Sequence, residues 1–143
     1  MQFINRVVIR RQPGEVFAFL ADPANIPRWN YAIASSRQVT RGPLGVGTKL
    51  QQTRSLPAPA TEELEITEFA PGQRLTLRGD IGPLTGTLSY DLDEVPGGTL
   101  LMNVADLTAR GPLRLLTPLV ATRVRQAVAA NLDRLRELLE SSQ

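Results

Sequence analysis

The chain has 143 residues, 42% of them hydrophobic and 21% charged, a formal net charge of +2, and neither cysteine nor histidine. That length suits one domain, 1–143, and the two missing residue types exclude disulfides, thiolate metal sites, cysteine nucleophiles and histidine acid–base chemistry, so no metal and no cofactor is expected. A pI near 9.7 does not argue for nucleic acid, because the basic residues are spread over every segment and only Arg10 and Arg11 adjoin.

Residues 3–10, FINRVVIR, carry the β-branched and long side chains of a strand. Pro13 then opens a helix through PGEVFAFLA, with Val16, Phe17, Phe19 and Leu20 available to a core and Asp22-Pro23 as its stop. A second short helical piece covers 23–29, in which Pro27 is expected to hold Ile26 extended. From Ala32 the pattern changes to strands separated by turn residues: 33–41, 48–56, 61–69, 74–80, 84–94 and 99–109. The connections are GPLGVG, LPAPA, Ala70-Pro71-Gly72, Gly82-Pro83 and Pro96-Gly97-Gly98. Alternation is cleanest in 84–94, where Leu88, Tyr90 and Leu92 share a face. The glycines of 42–47 match no phosphate-loop spacing and precede a strand, so they read as a turn.

The chain closes with an amphipathic helix over 112–140. Its apolar stripe runs Leu113, Leu116, Leu119/Val120, Val124, Ala127/Val128, Leu132, Leu135 and Leu138/Leu139, with Arg114, Arg123, Arg125 and Arg134 beside or opposite it. Pro118 predicts a kink or break near Thr117. Strand, short helices, about six hairpin-linked strands and one long helix define an α+β architecture of six to seven strands, in which a strongly curved antiparallel sheet wraps the terminal helix. No apolar run is long enough for an integral membrane segment and the first residues lack a signal-peptide core, which makes a cytoplasmic location the default expectation.

Four stretches carry a resemblance: PGEVFAFLADPANIPRW, GPLGVGTKL, EITEFAPGQRL and PGGTLLMNVADL. Together they are similar to the START-related polyketide cyclase/dehydratase and lipid-transport superfamily over almost the whole chain. The resemblance implies a helix-grip fold and a hydrophobic cavity between sheet and long helix. It does not imply a reaction, since members range from lipid binders through cyclases to chaperone co-regulators.

Within such a cavity the polar candidates are few. Trp29, the one tryptophan, reads first as a core anchor for the short helices and second as a cavity wall that stacks on a flat ligand, with Tyr31 at the mouth. Gln52 and Arg54 share a face with Leu50. Arg54 would suit a carboxylate or phenolate if it points inward, and solvent if it lies at the strand end. Tyr90 would suit a hydroxyl or carbonyl, and Asn103 would be a polar group in an apolar lining if Leu101, Asn103, Ala105 and Leu107 face the helix. Leu77, Val120 and Val124 supply apolar wall. In 61–69, Glu63 and Glu65 share one face and Glu62 and Glu68 the other; the group reads as a solvated sheet edge rather than an acid–base pair.

The leading expectation is therefore a binder of a small hydrophobic or aromatic molecule, lipid, polyketide or isoprenoid-like. The alternatives are a cyclase/dehydratase acting by substrate positioning, with Arg54 or Tyr90 stabilising an enolate, and an interaction or assembly protein. The last would use an outer face such as Leu100, Met102 and Val104, which also allows a homodimer.

Overall fold

The computed structural model describes residues 1–109 and 111–141, and of residues 113, 114, 116 and 117 the backbone alone. The stripe positions Leu113 and Leu116, and Arg114 beside them, thus have side chains outside the described set. The order is β1 (Gln2–Ile9), α1 (Pro13–Ala21), a 3₁₀ turn (Pro23–Asn25), α2 (Ile26–Trp29), β2 (Ile33–Gln38), β3 (Lys49–Arg54), β4 (Ala60–Ala70), β5 (Arg74–Ile81), β6 (Leu84–Val95), β7 (Gly98–Ala109), a second 3₁₀ stretch (Gly111–Leu116) and α3 (Thr117–Ser141). This is the α+β helix-grip arrangement, with an open seven-stranded sheet in the order β1-β7-β6-β5-β4-β3-β2.

Every pairing is antiparallel, because β2 to β7 follow one another as a meander and β1 returns to the far side of β7. β1 and β2 are the edges, so β4 lies in the interior of the sheet. Two register shifts break the alternation, one between Ile33 and Ser35 and one between Ile66 and Glu68. The second moves Glu68 to the face of Glu65, opposite to Glu62, where strict alternation had put Glu62 and Glu68 together. Glu68 there pairs with Arg74 at 2.8 Å and accepts from the Thr76 hydroxyl at 3.1 Å, while Phe69 turns inward and meets Phe17 edge-on at 5.2 Å.

The short helices form where local signals place them. α1 starts with Pro13 in its first turn and buries Val16, Phe17, Leu20 and Ala21; it ends at Asp22, whose carboxylate accepts from the Ala24 amide at 3.0 Å. Ile26 is helical, with φ −53° and ψ −47°, and not extended as the following proline predicted. Pro27 falls in the first turn of α2, where its missing N–H leaves no bond unmade, and Ile26 and Trp29 are both buried by that turn. Packing outweighs the pre-proline preference.

α3 is 25 residues long and begins at Thr117, so the chain changes from 3₁₀ to α where Pro118 predicted a break. The proline occupies the first turn of the new helix and costs no hydrogen bond. The two halves of α3 pack differently. Leu132, Leu135 and Leu139 enter the main core with Val7, Ile9, Val16, Leu50, Ile66 and Leu101. Val120, Val124 and Val128 lie half-buried over a second cluster of Phe3, Leu84, Ala105, Leu107 and Ala109. Burying each large side chain contributes about 1.5–3 kcal/mol, so the C-terminal half is the firmly held one. It is also tied down: Arg11 Nε donates to the Leu139 carbonyl at 2.7 Å and the Arg10 amide to Glu140 at 3.0 Å.

Candidate functional site

The inner sheet face and the short helices enclose a cavity of about 40 Å³. Leu20, Ile26 and Trp29 close it from the helices, Gln52 and Arg54 form one wall, and Leu75, Leu77, Leu88 and Tyr90 form its floor. That volume holds about one water molecule and falls far short of the roughly 300–1,000 Å³ of ligand pockets, so the interior is closed in this conformation. A larger concavity of about 740 Å³, lined by Leu115, Pro118, Leu119, Thr122, Arg123 and Gln126, is an open groove on the first turns of α3.

Alternation carries Leu50, Gln52 and Arg54 of β3 to the inner face, and all three are buried. Gln52 stands directly opposite Glu62 on β4, and Arg54 opposite Ala60. Glu62 therefore points inward with them. It is 6% exposed, and the reading of the β4 glutamates as a solvated edge fails for it because β4 is paired on both sides. Arg54 Nε and Nη2 donate to Glu62 at 3.0 and 2.8 Å, Gln52 Nε2 donates at 2.7 Å, and the Gly82 amide at 2.8 Å. Arg54 Nη1 donates to the Leu56 carbonyl at 3.2 Å. Burial would raise the Glu62 pKa, but the bonds from Arg54, Gly82 and Gln52 together outweigh it and hold the carboxyl below its ordinary 4.5. The guanidinium that suited a ligand carboxylate is thus already engaged within the wall.

Tyr90, Leu88 and Leu92 face inward from β6. Burial pushes the Tyr90 phenol well above its ordinary 10, so it is a hydroxyl at any physiological pH. No protein hydrogen bond reaches that hydroxyl among the described residues. Trp29 meets Tyr90 edge-on at 6.4 Å, and its buried indole N–H has no partner among the described residues. Asn103 lies beside Tyr90 on the paired strand, fully buried; its Nδ2 donates to the Ser89 carbonyl at 3.3 Å while Oδ1 is unpartnered. Three polar groups with hydrogen-bonding capacity to spare thus lie buried between α2 and the inner face of β6 and β7, where an unmade bond costs about 1–3 kcal/mol.

Five of the residues singled out by the sequence line this cavity together: Trp29, Gln52, Arg54, Leu77 and Tyr90. The Asn103 register points inward. Tyr31 does not join them: its side chain is 62% exposed, and its amide donates to Asn131 Oδ1 at 3.1 Å. Val120 and Val124 cover the second cluster instead of the cavity. Sequence reasoning missed Glu62 as a site residue; an inward Gln52/Arg54 pair facing an acidic strand was the signal available. On the outer face Leu100, Met102 and Val104 are half-buried, and across from them on β1 Ile4 and Val8 are exposed.

A family model described as polyketide cyclase/dehydrase and lipid transport matches residues 2–140. Among curated proteins none matches the sequence. The fold is similar to the crystal structure of TTHA0849 from Thermus thermophilus, with a TM-score of 0.83, 17% identity and full coverage of both chains. It is similar to the di-domain ARO/CYC StfQ of the steffimycin biosynthetic pathway, with a TM-score of 0.81, 15% identity, 98% of this chain and 50% of that one. It also resembles Ara h 8.0201, with a TM-score of 0.75, 18% identity and 99% coverage of each chain. At these identities the likeness is one of fold. No described helix is long and apolar enough to cross a membrane.

Proposed function

This chain belongs to the polyketide cyclase/dehydrase and lipid transport family, and from that premise we propose that it binds one small, largely apolar molecule between the inner sheet face and the helices that cover it. The observation that carries this reading is the trio of Trp29 Nε1, Asn103 Oδ1 and the Tyr90 hydroxyl. They are buried polar groups without protein partners among the described residues; Trp29 and Tyr90 line the cavity, and Asn103 stands opposite Tyr90 on β7. An apolar guest with a hydroxyl or carbonyl tip would satisfy them, which is the economy of most small-molecule sites.

The cavity must widen to admit such a guest. Among the described residues none of α3 lines it, so widening displaces the cover that Leu20, Ile26 and Trp29 provide from the short helices. Binding is favoured over acid–base catalysis because both Glu62 oxygens are taken by Arg54, Gln52 and the Gly82 amide and burial holds the Tyr90 phenol protonated. Native mass spectrometry with a panel of apolar hydroxy- and keto-aromatics and long-chain alcohols tests the reading. It predicts one-to-one adducts and a matching rise in melting temperature. No adduct and no thermal shift across the panel would overturn it.

A further inference from the structure

We propose that Glu62 is a specificity-determining residue: by engaging Arg54 inside the wall it makes the cavity a receptor for uncharged guests and bars anions of the same shape. The inference rests on the binding reading above. Arg54 is the one charged side chain among the described lining residues. Its Nε and Nη2 go to Glu62 and its Nη1 to the Leu56 carbonyl, so the fork of Nε and Nη2 is taken and the charge is paired within the wall. Glu62 in turn has both oxygens filled, by Arg54, Gln52 and the Gly82 amide. The pair therefore presents no net charge to the cavity.

What the lining leaves without a partner among the described residues is neutral: a donor at Trp29 and a hydroxyl at Tyr90, with the buried Asn103 oxygen opposite Tyr90 on β7. A carboxylate or sulfonate would enter with no free cation to meet it, near the buried charge of Glu62. Drawing Arg54 away to meet it would strand Glu62 as an unpaired buried anion, which is costlier still. A hydroxyl or carbonyl meets the Trp29 N–H and the Tyr90 hydroxyl without either loss.

Two probes with one apolar body separate the possibilities: neutral N-phenyl-1-naphthylamine and its sulfonated counterpart, 8-anilino-1-naphthalenesulfonate. The readout is the indole N–H resonance of Trp29, which is unique because the chain has one tryptophan. Dye held on the outer surface leaves it unmoved. In the wild type the neutral probe should bind at least about 30-fold more tightly than the sulfonate, the scale set by an unpaired charge in a partly apolar enclosure. Glu62→Gln frees Arg54 and should shift that ratio toward the sulfonate by at least about tenfold. The Arg54→Met/Glu62→Leu double variant, neutral again, should keep the wild-type preference. Equal affinities in the wild type, or an unchanged ratio in Glu62→Gln, would overturn the inference. Should Glu62→Gln not fold, a double variant that gains the sulfonate relative to the wild type overturns it as well. An indole resonance unmoved by either probe overturns the binding reading itself, and this inference with it.

Discussion

Breaking the Arg54–Glu62 pair from one side should be among the most damaging polar changes available to this protein. The two side chains are 9% and 3% exposed and 2.8 Å apart. An exposed pair contributes about 0–1 kcal/mol, but removing one member of a buried pair leaves its partner charged and unpaired, at about 3–5 kcal/mol. Glu62→Gln should therefore lose about 3–5 kcal/mol, a large share of the roughly 5–15 kcal/mol that holds a domain together. Replacing both members, as in Arg54→Met/Glu62→Leu, removes the stranded charge and should cost less than about 2 kcal/mol. Urea denaturation at pH 7 gives both numbers, provided the slope m stays at its wild-type value. The pH dependence carries a second signature. Because folding lowers the Glu62 pKa below 4.5, the pair's contribution is complete above that value and is lost as pH falls through the folded-state pKa. The stability gap between wild type and Glu62→Gln should then close in acid. A single variant that costs under about 1 kcal/mol at pH 7, or a gap independent of pH between about 5 and 2, would show that water solvates the pair and refute the argument.

Leu135→Ala, at a side chain with no exposed surface, should cost about 2–5 kcal/mol in the same assay, whereas Leu119→Ala, 60% exposed near the start of α3, should stay within about 0.5 kcal/mol. Gly86→Ala should be as harmful as a core truncation: at φ +149° its Cβ would stand 2.1 Å from the Asp106 carbonyl oxygen, so β6 and β7 must part, and circular dichroism melting should show the loss. Tyr90→Phe should leave unchanged the phenolate absorbance that develops below about pH 11, since burial keeps that hydroxyl protonated. Its stability should change by less than about 0.5 kcal/mol, because no protein bond is lost.

Much of the fold was legible because its signals are local. Proline at the head of α1, the glycine and proline turns between strands, the alternation of Leu88, Tyr90 and Leu92, and the stripe of Leu132, Leu135 and Leu139 each depend on residues a few positions apart. Those signals pointed to the order of elements, the shared face of Leu88, Tyr90 and Leu92 on β6, and a break near Thr117, which the structure shows as a change from 3₁₀ to α. The site was legible only in part. Alternation put Gln52 and Arg54 on the face of Leu50 but left open whether Arg54 reaches solvent, and it gave no sign that Glu62 awaits them, because four glutamates on one strand look alike until the sheet order puts β4 in the interior. Likewise the bulge after Ile66, which sends Glu68 outward and Phe69 inward, is written in no residue type of that segment. The exposure of Tyr31, and the second cluster beneath Val120 and Val124, depend on the course of α3 across the sheet. Periodicity assigns a residue to a face; whether that face meets water, a counter-charge or another side chain is decided by strands and helices distant in sequence. The volume left between them is a small difference between large packed volumes, which no local pattern encodes.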